Sequence, residues 1–572
     1  MNAQLANRLW LFTSRRAARD FHQAAHHVEE TQSQLLQNYL ARNRDTLYLR
    51  THVDTYIGKQ GNYQLPLTTY DDYLPYLERI ADGEPNILTR DPVQLFELSS
   101  GSTAASKMIP YTRTLKAEFG RGLAAWITDL FTHHADLAAG PAYWSVSPLT
   151  EGRRQTRGGI PIGFEEDSAY LGPLGSLIES ALAVPNLVKH IRDVDSFRYV
   201  TLLFLLRCEN LRLISVWNPT FLTLLLAPLP DWWDSLLKDI AEGTLTPPAP
   251  IDTTIHSALL KKLRRNMPKV HRYTGTQVNN GTRNLALSEV EGTQHATRLF
   301  QISPTDYVSI WPRLKLISCW SDGASEPYAR DLAEKFPNVT LQPKGLLATE
   351  AFVSFPLAGY EGGALAVASH YFEFLADSGD IFLAHQLEKG KTYSVVVTTG
   401  GGLYRYQLND LIEVTDFYGQ IPCFKFIGKA DRVSDYFGEK LNEQFVANIL
   451  TQLFEKHRLA PLFSMLAPDD TPPFHYTLYL ELPNYETTQL RNYLTTELDL
   501  SLRANFHYDY CRKLGQLGEA QVSLVTRGAE TYIQACQSRG QKLGDIKPSV
   551  LHKSTGWDAW FGNDEISQTP KG

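Results

Sequence analysis

The chain has 572 residues, 43% of them hydrophobic and 20% charged, with a formal net charge of −7. That length exceeds one ordinary core, so more than one domain is expected, and the composition is that of a soluble globular protein. No long basic tract occurs, which argues against nucleic acid as a partner. Five scattered cysteines (Cys208, Cys319, Cys423, Cys511, Cys536) without a CxxC pair argue against a disulfide framework or a zinc site. They favour a reducing, cytoplasmic compartment.

Residues 1–50 read as helical, with Leu35, Leu36, Tyr39 and Leu40 at helical spacing. Arg8, Arg15, Arg16 and Arg19 lie there without the apolar run of a signal peptide. A Tyr-rich helix is expected over 66–80, opening after Thr68 or Thr69 as its cap. An apolar strand (Leu95, Phe96, Leu98) then leads into Ser99-Ser-Gly-Ser-Thr-Ala-Ala-Ser-Lys107. Small hydroxylated residues around a glycine let backbone N–H groups approach a polyphosphate, and the lysine adds charge. This is not a Walker A loop, because Ser106 precedes the lysine and Met108 follows it. By itself the segment is equally a Ser-rich turn. A long helix follows, with Phe119, Leu123, Trp126, Ile127 and Leu130 on one face. The most apolar region, 199–233, is broken by Arg207, Glu209, Arg212, Pro219, Pro228 and Pro230. A membrane span needs about 20 predominantly apolar residues, so this region reads as buried core and no membrane partner is expected.

Strand-like pieces at 213–217, 314–319, 339–343, 364–367, 381–384 and 393–398 alternate with helical ones, which implies an α/β architecture. A Pro-rich break spans 244–250, and the polar stretch 274–297 reads as a surface insertion. A second unit begins near Gly428, giving domains 1–428 and 429–572. Its expected elements are a helix at 442–459, a strand at 475–482, a helix at 486–498 and a strand near 522–525, the pattern of a small α+β domain.

Four further segments carry candidate chemistry. Thr349 beside Glu350, after an expected strand, can set a hydroxyl near phosphate and a carboxylate on Mg²⁺; alone, the pair is more often a solvated helix start. Gly400, Gly401 and Gly402 free the backbone ahead of Tyr404-Arg-Tyr406, and Asp410 is expected at the end of an alternating strand. A carboxylate there can accept both hydroxyls of a ribose, or it can be an exposed Asp after a hairpin turn. Residues 426–443 read as a polar hinge or as an ordinary charged turn. Lys547 precedes Pro548, which keeps it out of helical geometry, so a loop can project its ammonium into a site; a single lysine is far more often a plain surface residue.

In this order, the segments resemble those of the adenylate-forming enzymes. The chain more closely resembles the auxin-responsive acyl acid–amido synthetase (Gretchen Hagen) family, read as a bacterial member. The resemblance rests on Glu30-Thr-Gln-x-x-Leu-Leu36, Tyr143-Trp-Ser-Val-Ser-Pro148, Gly158-Gly-Ile-Pro-Ile-Gly163, Trp217-Asn-Pro-Thr-Phe-Leu222, Ile317-Ser-Cys-Trp-Ser-Asp-Gly323 and Ser434-Asp-x-Phe-Gly-Glu-Lys-Leu441. It implies a large adenylating domain of β-sheets flanked by helices plus a small β-barrel, with a smaller mobile α+β domain behind it. It further implies a monomeric ligase that joins a carboxylic acid to an amine, usually of an amino acid, using ATP and Mg²⁺ by way of acyl-AMP.

By the same resemblance, Ser99, Ser100, Gly101, Ser102, Thr103 and Lys107 would hold the triphosphate, and Asp322, Gly323 and Ala324 would line the adenine. Thr349 would meet the α-phosphate and Glu350 would bind Mg²⁺. Asp410 would take the ribose hydroxyls with Lys429 nearby, Asp431 would be the hinge, and Lys547 would be the catalytic lysine. Trp126, Trp144, Trp217 and Phe221 are candidates to line the acid pocket, though core packing is the commoner role for each. The chain departs from the pattern at Ala104, usually glycine, at Leu346, usually aromatic, and at Lys429, usually arginine. A thioester-forming ligase using coenzyme A or a carrier protein, and an ATP-binding relative without turnover, are the competing expectations.

Overall fold

Short β-branched and apolar runs separated by helical chain build a parallel sheet, since a parallel neighbour is reached through a crossover. Its strands lie in the order Ala142–Trp144, Leu213–Ser215, Leu316–Cys319, Thr340–Pro343, every pair parallel. The structure is a computed structural model describing residues 3–56, 65–99, 107–145, 154–163, 179–264, 295, 297–322, 325–430, 433–434, 436–483, 488–539, 541, 546–547 and 549–562. The helices Val194–Leu206, Pro219–Leu226 and Leu229–Glu242 carry the apolar region around this sheet, and Leu203, Leu206, Ile214, Leu222 and Leu236 lie in one buried cluster. Asp193 caps the first of these helices; Asn218 caps the second, which has Pro219 in its opening turn. Among the described residues no helix is long and apolar enough to cross a membrane.

A second sheet positions the Ser-rich segment. Val93–Ser99 pairs antiparallel with Lys107–Thr112, which sets Ser99 opposite Lys107 at its open end. Phe96 also pairs in parallel with Ile162 of the short strand Pro161–Ile162. The hydroxyl of Thr112 accepts from the Leu115 N–H and starts the helix Arg113–His133. That helix buries Phe119, Trp126, Ile127 and Leu130, as their spacing predicts.

A third, antiparallel sheet of seven strands stands where a small barrel is expected. Its order is Ile381–Leu383, Tyr371–Leu375, Thr392–Thr398, Tyr406–Tyr418, Ile421–Lys429, Gly363–Leu365, Ser354–Pro356. Its core merges with that of the second sheet. Beyond it, Phe463–Asp469, His475–Glu481 and Gln521–Leu524 form a three-stranded sheet against the helices Glu443–His457 and Thr488–Leu502, an α+β unit.

Three expectations change. The helix expected over 66–80 is confined to Leu74–Ala81, after a 3₁₀ turn at Asp71–Tyr73. Thr68 does not cap it: its N–H and hydroxyl bond to the carbonyls of Arg405 and Tyr404, holding this stretch against the third sheet. Asp410 is not at a strand end but inside the 13-residue strand Tyr406–Tyr418. The first residues of the expected hinge, through Lys429, are strand rather than loop, because Asp410 pairs with Lys429 and Leu411 with Gly428. Of the stretch 274–297, only residues 295 and 297 are described.

Candidate active site

The parallel sheet determines where ligand chemistry gathers. In open α/β sheets ligands lie beyond the carboxyl ends of the strands, where the chain diverges. Here those ends deliver Trp144, Ser215 with Trp217, Cys319 with Trp320 and Asp322, and Lys344 with the segment running to Glu350. The Trp320 N–H still donates to the Trp217 carbonyl at 2.8 Å, so two of these crossings leave the sheet side by side.

Thr349 and Glu350 are fixed from the second sheet. The Tyr111 hydroxyl donates to the Thr349 carbonyl at 2.6 Å. Glu350 is 7% exposed. Its Oε1 lies 3.5 Å from the Tyr406 hydroxyl, which receives the Lys107 ammonium at 3.3 Å. The Lys107 Nζ also stands 5.5 Å from the Tyr70 ring centroid and 6.0 Å from that of Tyr406. Burial, then the nearby Glu350 carboxylate, push the Tyr406 hydroxyl far above its usual range, so it remains a donor. Lys107, Tyr406 and Glu350 thus form one polar line linking the base of the Ser-rich loop to the Thr-Glu segment.

Asp410 is 3% exposed and pairs with Lys429, Oδ1 to Nζ 3.0 Å. The Lys429 ammonium also donates to the Leu408 carbonyl at 3.3 Å. A pair in register across two adjacent strands is the sheet's way of holding two charges in fixed geometry. Asp322 accepts from the Phe426 N–H of the same strand as Lys429, and burial holds its carboxyl above the ordinary carboxylate range despite that bond and the nearby Lys425. Lys547 comes from the C-terminal unit. Its Nζ lies 4.4 Å from the Trp320 ring centroid, two residues from Asp322 in sequence, and its carbonyl accepts the Tyr532 hydroxyl.

The structure therefore links Lys107 with Glu350 through Tyr406, pairs Asp410 with Lys429, and sets Lys547 over Trp320 two residues from Asp322. Ser99 ends its strand opposite Lys107. Ser100, Gly101, Ser102, Thr103, Ala104, Gly323, Ala324, Asp431 and Pro548 lie outside the described residues. Leu346 is buried core, and its N–H bonds to the Ser354 hydroxyl at 2.9 Å. Trp126, Trp144 and Trp217 converge, whereas Phe221 faces away toward Ile533 and Ile546 of the C-terminal unit. Arg405 is tied to Glu373 at 2.9 Å and to the Leu65 carbonyl, which spends it on the scaffold.

What the three tryptophans surround is a residue that spacing alone did not single out. Lys344 is 4% exposed, and its Nζ lies 5.4, 5.9 and 5.2 Å from the rings of Trp126, Trp144 and Trp217. It donates to the Ser215 hydroxyl at 2.5 Å. Burial lowers its pKa to about 7. A lysine directly after an expected apolar strand was the available signal.

The group implied for Glu350 is a magnesium ion. Among the described residues no cluster of three His, Cys, Asp or Glu side chains stands together. Magnesium does not require one, because it is held by one or two carboxylates with substrate phosphates and water. Glu350, buried and bonded only weakly to Tyr406, fits that description.

Comparison with known proteins agrees with this geometry. The GH3 family N-terminal domain matches residues 17–341, the GH3 family central domain 363–429 and the GH3 family C-terminal domain 443–556. Among curated relatives, indole-3-acetic acid-amido synthetase GH3.17 of Arabidopsis thaliana is 24% identical, covering 92% of both chains. GH3.15 of the same plant is 27% identical over 80% of this chain and 78% of its own. These are plant proteins and lend nothing to a bacterial origin. The solved AtGH3.15 acyl acid amido synthetase in complex with 2,4-DB superposes with a TM-score of 0.80 at 22% identity, covering 97% of this chain and 96% of that one. A 2-hydroxyisobutyryl-CoA ligase in the postadenylation state shares the fold more distantly, with a TM-score of 0.52 at 9% identity over 94% and 91% of the two chains. With family matches running from residue 17 to residue 556 over the sheets that carry the site, the chain belongs to the GH3 family.

Proposed function

We propose that this chain is an ATP-dependent acid–amine ligase. A carboxylate oxygen of the acid attacks the α-phosphorus of ATP, and pyrophosphate leaves, giving acyl-AMP. The amine of an amino acid then attacks the acyl carbon; AMP leaves with the electron pair of the broken bond, and the amine proton is released as the amide forms. Joining of acid and amine is the activity that the relatives' names carry.

What most supports the reading is the meeting of two separate units at one place: Lys547 rests over Trp320 at the carboxyl ends of the parallel strands, beside the Asp322 crossing. Charge grows on the α-phosphate during attack, and a prepositioned ammonium stabilises it without reorganisation, typically the largest catalytic contribution. Lys107 would neutralise the phosphates at the mouth of the Ser-rich loop, Thr349 would meet the α-phosphate, and Asp410 would accept the ribose hydroxyls while Lys429 keeps it oriented. A magnesium ion at Glu350 would supply Lewis-acid neutralisation of phosphate charge. The C-terminal unit, divided from residues 1–428 near Asp431, would swing Lys547 away to admit the amine. Five free thiols fit a reducing, cytoplasmic setting.

Acid-dependent exchange of labelled pyrophosphate into ATP over a panel of carboxylates tests the first step, and mass analysis with mixed amino acids tests the second. Exchange followed by amide formation is the expected outcome. ATP binding without exchange would overturn the reading, and turnover with coenzyme A in place of amines would redirect it to a thioester product.

A further inference from the structure

Lys344 is the group that the proposed chemistry leaves unused. Its ammonium is buried, and among the described residues no carboxylate pairs with it. One of its three donors goes to Ser215. Three indole rings and a hydroxyl face this ammonium without a counter-charge, and a buried cation so placed is costly to desolvate. An apolar side chain would pack among Trp126, Trp144 and Trp217 at lower cost.

Its location supplies the use. Trp217 is 37% exposed, so the cage is open on that side. The Trp217 ring lies 5.2 Å from the Lys344 Nζ and 5.5 Å from the Trp320 ring, which in turn lies 4.4 Å from the Lys547 Nζ. The two lysines therefore stand at opposite ends of a row of indoles beyond the carboxyl ends of the same parallel sheet. A planar body laid along that row has its reacting carboxyl at the Lys547 end and its far end at Lys344. Flat aromatic walls with one well-placed polar group are the usual composition of a small-molecule pocket.

We propose that Lys344 is a specificity-determining residue of the acid site, and that the acid is a planar, aromatic-sized molecule carrying a second acceptor, such as a ring hydroxyl, carbonyl or second carboxylate, distal to the carboxyl that is activated. This rests on the ligase reading above. The second acceptor completes the hydrogen bonding that Ser215 only begins, and where it is anionic it supplies a counter-charge. Since the free amine titrates near 7, an anionic acceptor binds with uptake of a proton at neutral pH.

The test pairs unsubstituted aromatic acids (benzoate, phenylacetate, 3-phenylpropanoate) with derivatives bearing a ring hydroxyl or a second carboxylate. For wild type and Lys344→Met, pyrophosphate exchange gives kcat/KM for each acid, and tryptophan fluorescence without ATP gives its Kd. Hydrogen bonds to a charged group predict that the ratio of substituted to unsubstituted kcat/KM falls about 10- to 100-fold in the variant, through KM, with a parallel change in the Kd ratio. An unchanged ratio in both measurements, whether the variant is active or not, overturns the assignment of Lys344. Absence of exchange from the wild type with every acid overturns the ligase reading instead, and the fluorescence ratio still tests Lys344 by itself.

Discussion

At the scale of single residues, the two lysines facing the indole row are distinguished by what surrounds them. Lys547 is brought in from another unit with its ammonium over the Trp320 ring, so its replacement by alanine removes a positive charge from that place. Lys547→Ala is expected to slow adenylation by about 10²- to 10³-fold, the size of one preorganised electrostatic contact. Aminolysis of a supplied acyl-AMP should change far less. Equal losses in the two half-reactions would remove Lys547 from its role. Lys344 acts on stability as well. Its pKa falls from 10.5 to about 7 on folding, mainly by burial and slightly offset by the neighbouring Cys319 thiol, itself pushed up to about 12. Between those two values the unfolded chain holds a proton that the folded chain has released, so stability rises with pH across the window. Below pH 7 both states are charged and the folded state bears the full desolvation cost. Lys344→Met should therefore raise Tm most at and below pH 7, and the gain should shrink as pH climbs toward 10. A difference in Tm independent of pH, read by scanning calorimetry in parallel buffers, would contradict this.

At the scale of elements, one buried carboxylate joins four parts of the large unit. Glu118, on the helix Arg113–His133, accepts from the Tyr39 hydroxyl at 2.8 Å, from the Gly400 N–H at 3.0 Å and from His370 Nδ1 at 2.9 Å. His370 Nε2 accepts the Phe352 N–H, so the ring proton is on Nδ1 and is donated to Glu118. Phe352 lies two residues beyond Glu350, and Gly400 opens the turn ahead of the Asp410 strand; the network therefore ties the backbone of both segments to one helix. Glu118→Ala leaves several buried donors unpaired and is expected to cost about 3–5 kcal/mol in urea unfolding, with Glu118→Gln costing less because the shape is kept. This is also where reading the chain linearly stops. Strands such as Thr392–Thr398 were legible because their apolar content is continuous, and the helix around Phe119 and Trp126 because its period is local. Glu350, Asp410 and Lys547 were singled out through the family resemblance, since each by itself also reads as an ordinary turn or surface position. Glu118 with His370 was not, since 252 residues separate two unremarkable side chains. Lys429 was set near Asp410 by the family resemblance alone, because residue by residue it falls in a charged segment that reads as hinge. Lys344 was passed over for the same reason: only when four strands align their carboxyl ends do three dispersed tryptophans become its cage.

At the scale of the whole molecule, the lysine proposed to assist activation of the acid belongs to a different unit from the sheet it faces, so on that reading the seam between the units controls chemistry. That seam includes an apolar cleft lined by Phe221 and Leu224 of the helix Pro219–Leu226 on one side and by Ile533 and Ile546 on the other, the last adjacent in sequence to Lys547. Apolar contact holds the units in the arrangement that sets Lys547 against Trp320, and roughly 25 cal/mol is gained per Å² of apolar surface covered there. Leu224 is half-buried and belongs to none of the core clusters, so it can be changed without opening a core. Leu224→Lys places an ammonium in the cleft, which Arg198 also lines. Burying it beside a like charge costs at least about 1–3 kcal/mol, enough to lower the population of the closed arrangement by roughly 10- to 100-fold. Pyrophosphate exchange should fall by that factor, while amide formation from supplied acyl-AMP, which does not require Lys547 in place, should be retained. Leu224→Ala, which trims the contact without charging it, should fall between the two. If exchange were insensitive to the charge, the seam would have no part in delivering the lysine, and the proposed swing of the C-terminal unit would lose its physical basis.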